Sequence, residues 1–320
     1  MKVRKIVMAS VGLALCASAL AQPYPTRPIR LIVPYPPGGA TDIIARGIAE
    51  KVGQTIGQPV VVDNRGGGGQ IIGTDLVAKA APNGYTILLP SVTHSINPGL
   101  QPKLPYDTIR DFAPITLVAS GATVLVVHPS VPARSTKELI ALAKARPGQL
   151  IYGSSGNGSG GHLATELFKA MTDTEITHVP YKGNGPATID LLAGQVNLMF
   201  TSPLPMLPHI KSGKLRALAT TGTQRSSAMP DLPTIAEAGL AGYEATLWYG
   251  IVAPAGTPEP IIALLHKHLV AALRQPDMKE RFGPLGLDIV ASTPHEFLTH
   301  IQRETTKWTK VIRQSDIRPD

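Results

Sequence analysis

Arg30-Leu31-Ile32-Val33-Pro34, then Tyr35-Pro36-Pro37-Gly38-Gly39, then Ala40-Thr41-Asp42-Ile43-Ile44 is the stretch that decides the fold class. The apolar run from Arg30 to Pro34 reads as a short buried strand, and the Pro36-Pro37-Gly38-Gly39 turn ends it. From Thr41 the period changes. Ile44, Ile48 and Val52 recur at i, i+4 and i+8 on one helical face, until Gly57 and Pro59 stop the pattern. Val60 to Val62 predicts the next strand, Arg65 to Gly69 a glycine loop and Ile71 to Ala81 a helix. After the turn at Pro82-Asn83-Gly84, Tyr85 to Leu89 is again extended. Strands and helices alternating in this way predict parallel βαβ units and an α/β sheet.

The alternation runs on through the chain. Thr123 to Val127 reads as a strand, Ser135-x-x-Glu138 as a capping box opening a helix that Pro147-Gly148 closes, and Leu150 to Tyr152 as a strand. Leu163 to Met171 predicts a helix, followed by further elements at Ile176 to Val179, Ala187 to Ala193, Val196 to Phe200 and Leu215 to Ala219. Tyr243 to Ala253 is extended, and long helices are expected over Pro258 to Leu273 and Pro294 to Val311. What recurs is a strand ending in a loop of Gly, Pro or Ser that feeds a helix.

With 320 residues the chain has room for about two domains. Its 43% hydrophobic and 16% charged content excludes a highly charged disordered chain. Lys2, Arg4 and Lys5, the apolar run Ile6 to Leu20 and the small residues around Ala19-Leu20-Ala21 make a signal peptide over residues 1–21. The run is shorter than the roughly 20 apolar residues a membrane span needs. Cys16, the one cysteine, follows Leu15, where a lipoprotein site wants a small residue. Cleavage after Ala21 lowers Lys+Arg from 30 to 27 against 22 acidic residues, a net +5, and removes that cysteine. A cysteine-free mature chain suits an oxidising compartment, which places the protein in the periplasm. The positive charge is scattered and aromatics make up 5%, so nucleic acid is not an expected partner, whereas small anions are.

Ligands of open α/β sheets bind beyond the carboxyl ends of the strands, where helix N-termini offer free N–H groups to anions. Three loops fit that chemistry. In the first, Pro37, Gly38, Gly39 and Ala40 bring backbone close to a ligand, Thr41 is a natural N-cap and Asp42 suits the first turn. Taken alone, this loop also reads as an ordinary capped turn. The second, Gly153 to Gly161, has five glycines in nine residues and runs into His162. Gly156-x-Gly158-x-x-Gly161 matches a dinucleotide fingerprint in form. The required acid about 20 residues on is missing, with Tyr181 and Lys182 standing there instead. Ser155 and Ser159 both fail the G-x-S-x-G pattern at Asn157. His162 and Glu166, at i and i+4, lack a third metal ligand. The third loop, Pro180 to Pro186, carries Lys182, which reads equally as a solvated lysine. No catalytic residue, metal ligand or cofactor is therefore expected.

The ordered segments also carry a resemblance. They are Pro34-Tyr35-Pro36-Pro37-Gly38-Gly39, Asp63-Asn64-Arg65, Ala80-Ala81-Pro82-Asn83-Gly84-Tyr85-Thr86 and His178-Val179-Pro180-Tyr181-Lys182-Gly183. Pro208 to Leu218 and Ala253-Pro254-Ala255-Gly256-Thr257-Pro258 complete the set. In these the chain resembles the extracytoplasmic solute receptors of tripartite tricarboxylate transporters, the Bug family. The resemblance implies a two-lobed periplasmic-binding-protein fold, type II-like, with residues 22–121 plus 244–320 in one lobe and 122–243 in the other. It implies a small carboxylate ligand, held in the interlobe cleft by loop amides, hydroxyls and waters and delivered to membrane permease subunits by a monomeric receptor. The matching positions are Pro37, Gly38, Gly39, Ala40 and Asp42 on one side, with Ser155, Gly158, Ser159, Gly160 and His162 on the other. Gln70 and Ile71 depart from the family pattern, where glycine and a small or polar residue are frequent. The alternatives are a ligand-sensing partner of a signalling protein and, with no acid–base or nucleophile pair to support it, a periplasmic hydrolase.

Overall fold

The computed structural model describes residues 24–101 and 103–318; the expected signal peptide, 1–21, lies outside them. The chain opens with strand β1 (Ile29–Val33), helix α1 (Ala40–Ile56), β2 (Val60–Asn64), α2 (Ile71–Ala78), β3 (Thr86–Leu88), α3 (Thr93–Leu100) and β4 (Phe112–Ala122). It then builds β5 (Val124–Val127), α4 (Thr136–Ala145), β6 (Ile151–Ser154), α5 (Gly160–Thr172), β7 (Thr177–Pro180), α6 (Asn184–Leu192), β8 (Leu198–Thr201), α7 (Pro203–Lys211) and β9 (Arg216–Thr220). It closes with β10 (Thr246–Pro254), α8 (Glu259–Leu273), α9 (Pro276–Phe282), β11 (Asp288–Ile289) and α10 (Pro294–Gln314).

These strands make two sheets, and the fold is a two-lobed α/β architecture. The first runs β11-β4-β10-β3-β1-β2 and the second β7-β6-β8-β5-β9. Both follow one plan. Three parallel strands (β2, β1, β3 and β7, β6, β8) are followed by a strand that has just crossed from the other sheet, β10 or β5, paired antiparallel.

Alternation along the strands distributes the cores, because successive side chains point to opposite faces. Ile29, Leu31 and Val33 meet Ile44, Ile48 and Val52 of α1 and Leu265 and Leu269 of α8 on the outer face of the first sheet. Val124 and Val126 do the same for the second sheet, with Leu191 of α6 and Met206 of α7. Ile32, Leu88, Leu125 and Val127 face the other way, into one cluster shared by both sheets. Helix α10 seals that cluster with Phe297, Ile301, Trp308 and Val311. Its start matches the sequence pattern: Thr293 and Glu296 form a complete capping box, and Pro294 sits in the first turn. Gly250 is required beneath it, since a Cβ there would overlap the Phe297 ring.

Some boundaries differ from expectation. Helix α2 stops at Ala78 rather than Ala81, α5 starts three residues before Leu163, and α10 runs on to Gln314. At α4, Ser135 caps the Glu138 N–H, but the Glu138 carboxylate accepts from Arg134 N–H rather than from the cap residue.

The chain passes between the sheets at Thr123 and again before β10, and three crossing or flanking segments are laced together there. Thr221 Oγ1 accepts from Thr123 N–H at 2.8 Å and lies 2.9 Å from Thr123 Oγ1. Thr221 N–H donates to the Thr123 carbonyl (2.9 Å) and Ala245 N–H to the Thr221 carbonyl (3.0 Å). Both threonines are buried. Thr221→Val keeps the shape but strands the Thr123 donor, which costs about 1–3 kcal/mol. Chemical denaturation is expected to show that loss; an unchanged midpoint and slope would mean the hydroxyl does not hold the neck.

Candidate functional site

The first loop leaves β1 at its carboxyl end. Pro37, Gly38 and Gly39 are exposed and Ala40 is half-buried. Gly38 has φ +91°, a conformation that favours glycine, and a Cβ at Gly38 or Gly39 would meet nothing within 4 Å. Backbone is thus open to a ligand here. Gly39, not Thr41, is the N-cap of α1, and no side chain caps it. Thr41 is already helical and buried.

Asp42 acts from within the loop. Its Oδ2 accepts from Gly38 N–H at 3.0 Å and from Arg46 Nε at 3.0 Å. The Arg46 guanidinium holds the Asp42 carboxyl below the usual carboxylate range, with Gly38 N–H adding to the effect and burial opposing it. One amide expected to face the ligand is therefore engaged by this carboxylate. The first intrahelical bond runs from Ile43 N–H to the Gly39 carbonyl, so the N–H groups of Ala40, Thr41 and Asp42 are those the helix itself does not use.

The second loop is shorter than the glycine run suggested. Strand β6 reaches Ser154 and α5 begins at Gly160, with Ser159 as N-cap accepting from His162 N–H. Gly156 and Gly158 take φ +125° and +69°. Ser155, Gly158, Ser159 and Gly160 are half-buried, while His162 is buried. Gly158 N–H donates to His162 Nδ1 at 3.0 Å, so that nitrogen acts as an acceptor for the loop. The His162 ring stacks on His178 at 4.0 Å, and His178 in turn on Tyr152 at 4.6 Å. His178 Nε2 lies 2.7 Å from Ser154 Oγ, the distance of a nucleophile–base pair. Ser154 is buried, however, and its hydroxyl bonds both the N–H and the carbonyl of Gly156, which makes it a brace for the loop.

Glu166 is held by two donors. Tyr152 donates to it at 2.6 Å and Lys169 at 2.7 Å. Burial pushes the Glu166 carboxyl up, and these two donors outweigh it and hold the group low. Among the described residues no group of three or more metal-ligating side chains gathers. A wide surface concavity of about 910 Å³ lies near Lys144, Glu166, Asp173 and Asp316, away from both loops, with Glu166 and Lys169 already paired to each other.

The second loop lies against side chains belonging to the first sheet's half of the molecule. A Cβ on Gly158 would press on Leu100 of α3 (2.6 Å), and one on Gly160 would come 3.1 Å from Leu247 of β10. Gly161 sits so close to the Phe200 carbonyl of β8 that no side chain fits. Tyr243, just before β10, donates to the Ala164 carbonyl of α5 at 2.7 Å, linking the return crossing to this helix. Arg65 is committed to Asp63 at 2.9 Å, and Lys182 is exposed.

A third group of residues escaped sequence reasoning. Beyond the carboxyl ends of β1, β2 and β3, Tyr35 Oη lies 2.9 Å from Ser91 Oγ and 3.4 Å from Thr93 Oγ1. Gln70 Nε2 donates to Tyr35 Oη and Ser91 Oγ. Tyr249 borders the cluster, its phenol pushed up to about 12 by burial and by the nearby Tyr35. Tyr35 belonged to a segment already singled out, and Gln70 was a departure from the family pattern, but nothing in their spacing joins them to Ser91 or Tyr249.

A family model described as the tripartite tricarboxylate transporter family receptor matches residues 44–317. The chain belongs to that family. Protein BugT of Bordetella pertussis is 41% identical over 316 residues, covering 97% of each chain. The solved structure of Rpa4515 from R. palustris with adipate is 38% identical with a TM-score of 0.76, covering 93% of this chain and all of that one. MatC (Rpa3494) of Rhodopseudomonas palustris with bound malate is 32% identical with a TM-score of 0.72, covering 90% of this chain and 100% of its own. The family consists of periplasmic solute-binding receptors, and this chain is a receptor of that kind. Among its described residues no helix is long and apolar enough to cross a membrane.

In this receptor the Asp42 clasp has a pH signature. A carboxyl held low in the folded state stabilises above the ordinary carboxylate value of 3.8 and loses that contribution as pH falls through the lowered value. Asp42→Asn should therefore be less stable than the parent near pH 7, with the gap narrowing as pH is lowered below 3.8. Denaturation midpoints across that range test it; a gap independent of pH would mean Asp42 does not hold Gly38 as a carboxylate.

Proposed function

We propose that this receptor captures a small carboxylate in the cleft between a lobe of residues 22–121 plus 244–320 and a lobe of 122–243, then delivers it to membrane permease subunits. It acts in the periplasm as a monomer after cleavage at Ala21, and binds without catalysis. The observation that carries this reading is a pair of helix N-termini, α1 and α5, each entered through a loop of glycines and small residues in a different lobe. Unused N–H groups and the positive end of the helix dipole favour an anion there without a buried Arg, whose desolvation would be costly. Waters can bridge to the ligand with little loss of enthalpy. The carboxylates bound by two relatives, adipate and malate, support the same ligand class.

The test compares acids with their amides. At 100 times its Kd a ligand adds about 2.7 kcal/mol to stability. Dicarboxylates, amino acids and aromatic acids are screened by thermal shift beside the corresponding amides. At least one acid is expected to raise the melting temperature while its amide does not, and Gly39→Val should weaken that acid by tenfold or more. Gly39 has φ −85° and open space at Cβ, so the variant can keep the fold. Shifts given by sugars or cations and by no acid would overturn the reading.

A further inference from the structure

Gln70 carries two penalties that packing does not explain. Its backbone is left-handed at φ +77°, a conformation non-glycine residues rarely adopt, at the end of a run in which Gly67, Gly68 and Gly69 also have positive φ. Its side chain is 3% exposed, and the carboxamide oxygen is buried with no hydrogen-bond partner. Both amide protons are spent on Tyr35 Oη and Ser91 Oγ, so the oxygen is the end left over. Buried acceptors normally find donors, and an orphan of this kind is costly.

The position of the residue gives the orphan a purpose. Gln70 is the N-cap of α2, and its partners come from the loops after β1 and β3, so it stands where three strands of the first sheet end. That is where open α/β sheets bind ligands. The three glycines before it are exposed and Tyr35 and Thr93 are half-buried, so the cluster reaches the surface there although the Gln70 oxygen itself is buried. At this spot the unpaired group is an acceptor, unlike the N–H groups offered by the first turns of α1 and α5.

We infer that Gln70 is a specificity-determining residue whose carboxamide oxygen accepts a hydrogen bond from a hydroxyl or ammonium group on the ligand, so that the preferred ligand is a hydroxy or amino carboxylate rather than an unsubstituted acid. The inference rests on the carboxylate reading above and adds a second, oppositely polarised contact at the far end of the ligand. Recognition of this type discriminates strongly, because an analogue lacking the donor leaves the buried oxygen unpaired.

Isothermal titration with matched probes tests it: succinate against malate and aspartate, glutarate against 2-hydroxyglutarate and glutamate, benzoate against 4-hydroxybenzoate. The parent protein should bind the substituted member of at least one set tenfold or more tighter than its unsubstituted partner. Two variants then remove the amide. Gln70→Gly suits the left-handed backbone and should fold with an unchanged or higher melting temperature in the absence of ligand. Gln70→Met keeps the side-chain length. Both should bring the ratio within about twofold, mainly by weakening the substituted acid. Unsubstituted acids that bind the parent as tightly as their partners, or a preference that survives in both variants, would overturn the inference and leave the carboxylate reading standing. If no acid of any set binds, both fall together.

Discussion

The first turn of a helix holds N–H groups with no partner in their own helix, and the two candidate loops of this receptor are organised around that fact. In the α1 loop part of the demand is met from within, because the Asp42 carboxylate takes the Gly38 N–H and is itself fixed by Arg46. In the α5 loop, Ser159 takes the His162 N–H and His162 takes the Gly158 N–H. Each loop is thereby given one shape, while its glycines keep the remaining backbone close to the surface. The proposed mode of binding has one carboxylate supply acceptors to both helices at once.

Bringing the halves together depends on the neck. Thr123, Thr221 and Ala245 join the strands that enter and leave the second sheet, and Tyr243 ties the return segment to α5. The central core is continuous from Ile32 and Leu88 through Trp248 to Leu163 and Phe168. Close-packed cores of this kind rearrange between discrete packings rather than deforming smoothly, so motion belongs at the crossing strands. Ligand shifts such an equilibrium only by contacts it makes in one state and not the other.

Much of the fold was legible because strong periodicity and loop chemistry agreed. Ile44, Ile48 and Val52 marked α1, and Val124 to Val127 reads as a strand because both of its faces are buried. Helix α3 was not legible. Pro98 and Gly99 lie inside it, and its buried positions include His94, Ser95 and Asn97, so hydrophobic spacing does not mark it. Gly99 is there because α10 crosses closely: a Cβ would come 2.9 Å from Thr309 Cα. Helix α7 was hidden in the same way by Pro203, Pro205 and Pro208. Loop composition pointed to the two glycine-rich turns as candidates, and inside the first of them the cap is Gly39 rather than Thr41. Asp42 lies in the first turn as its position suggested, and its bond to Gly38 N–H was not legible along the chain. The Tyr35–Gln70–Ser91 cluster depends on tertiary contacts among three separated segments and has no signature along the chain.

The central claim is that each lobe carries half of one anion site, so that affinity belongs to the closed state. Small-angle X-ray scattering of the mature receptor, with and without a saturating concentration of the acid that most raises its melting temperature, addresses this directly. A smaller radius of gyration in the presence of the acid is the predicted result. Tight binding with an unchanged scattering profile would contradict it.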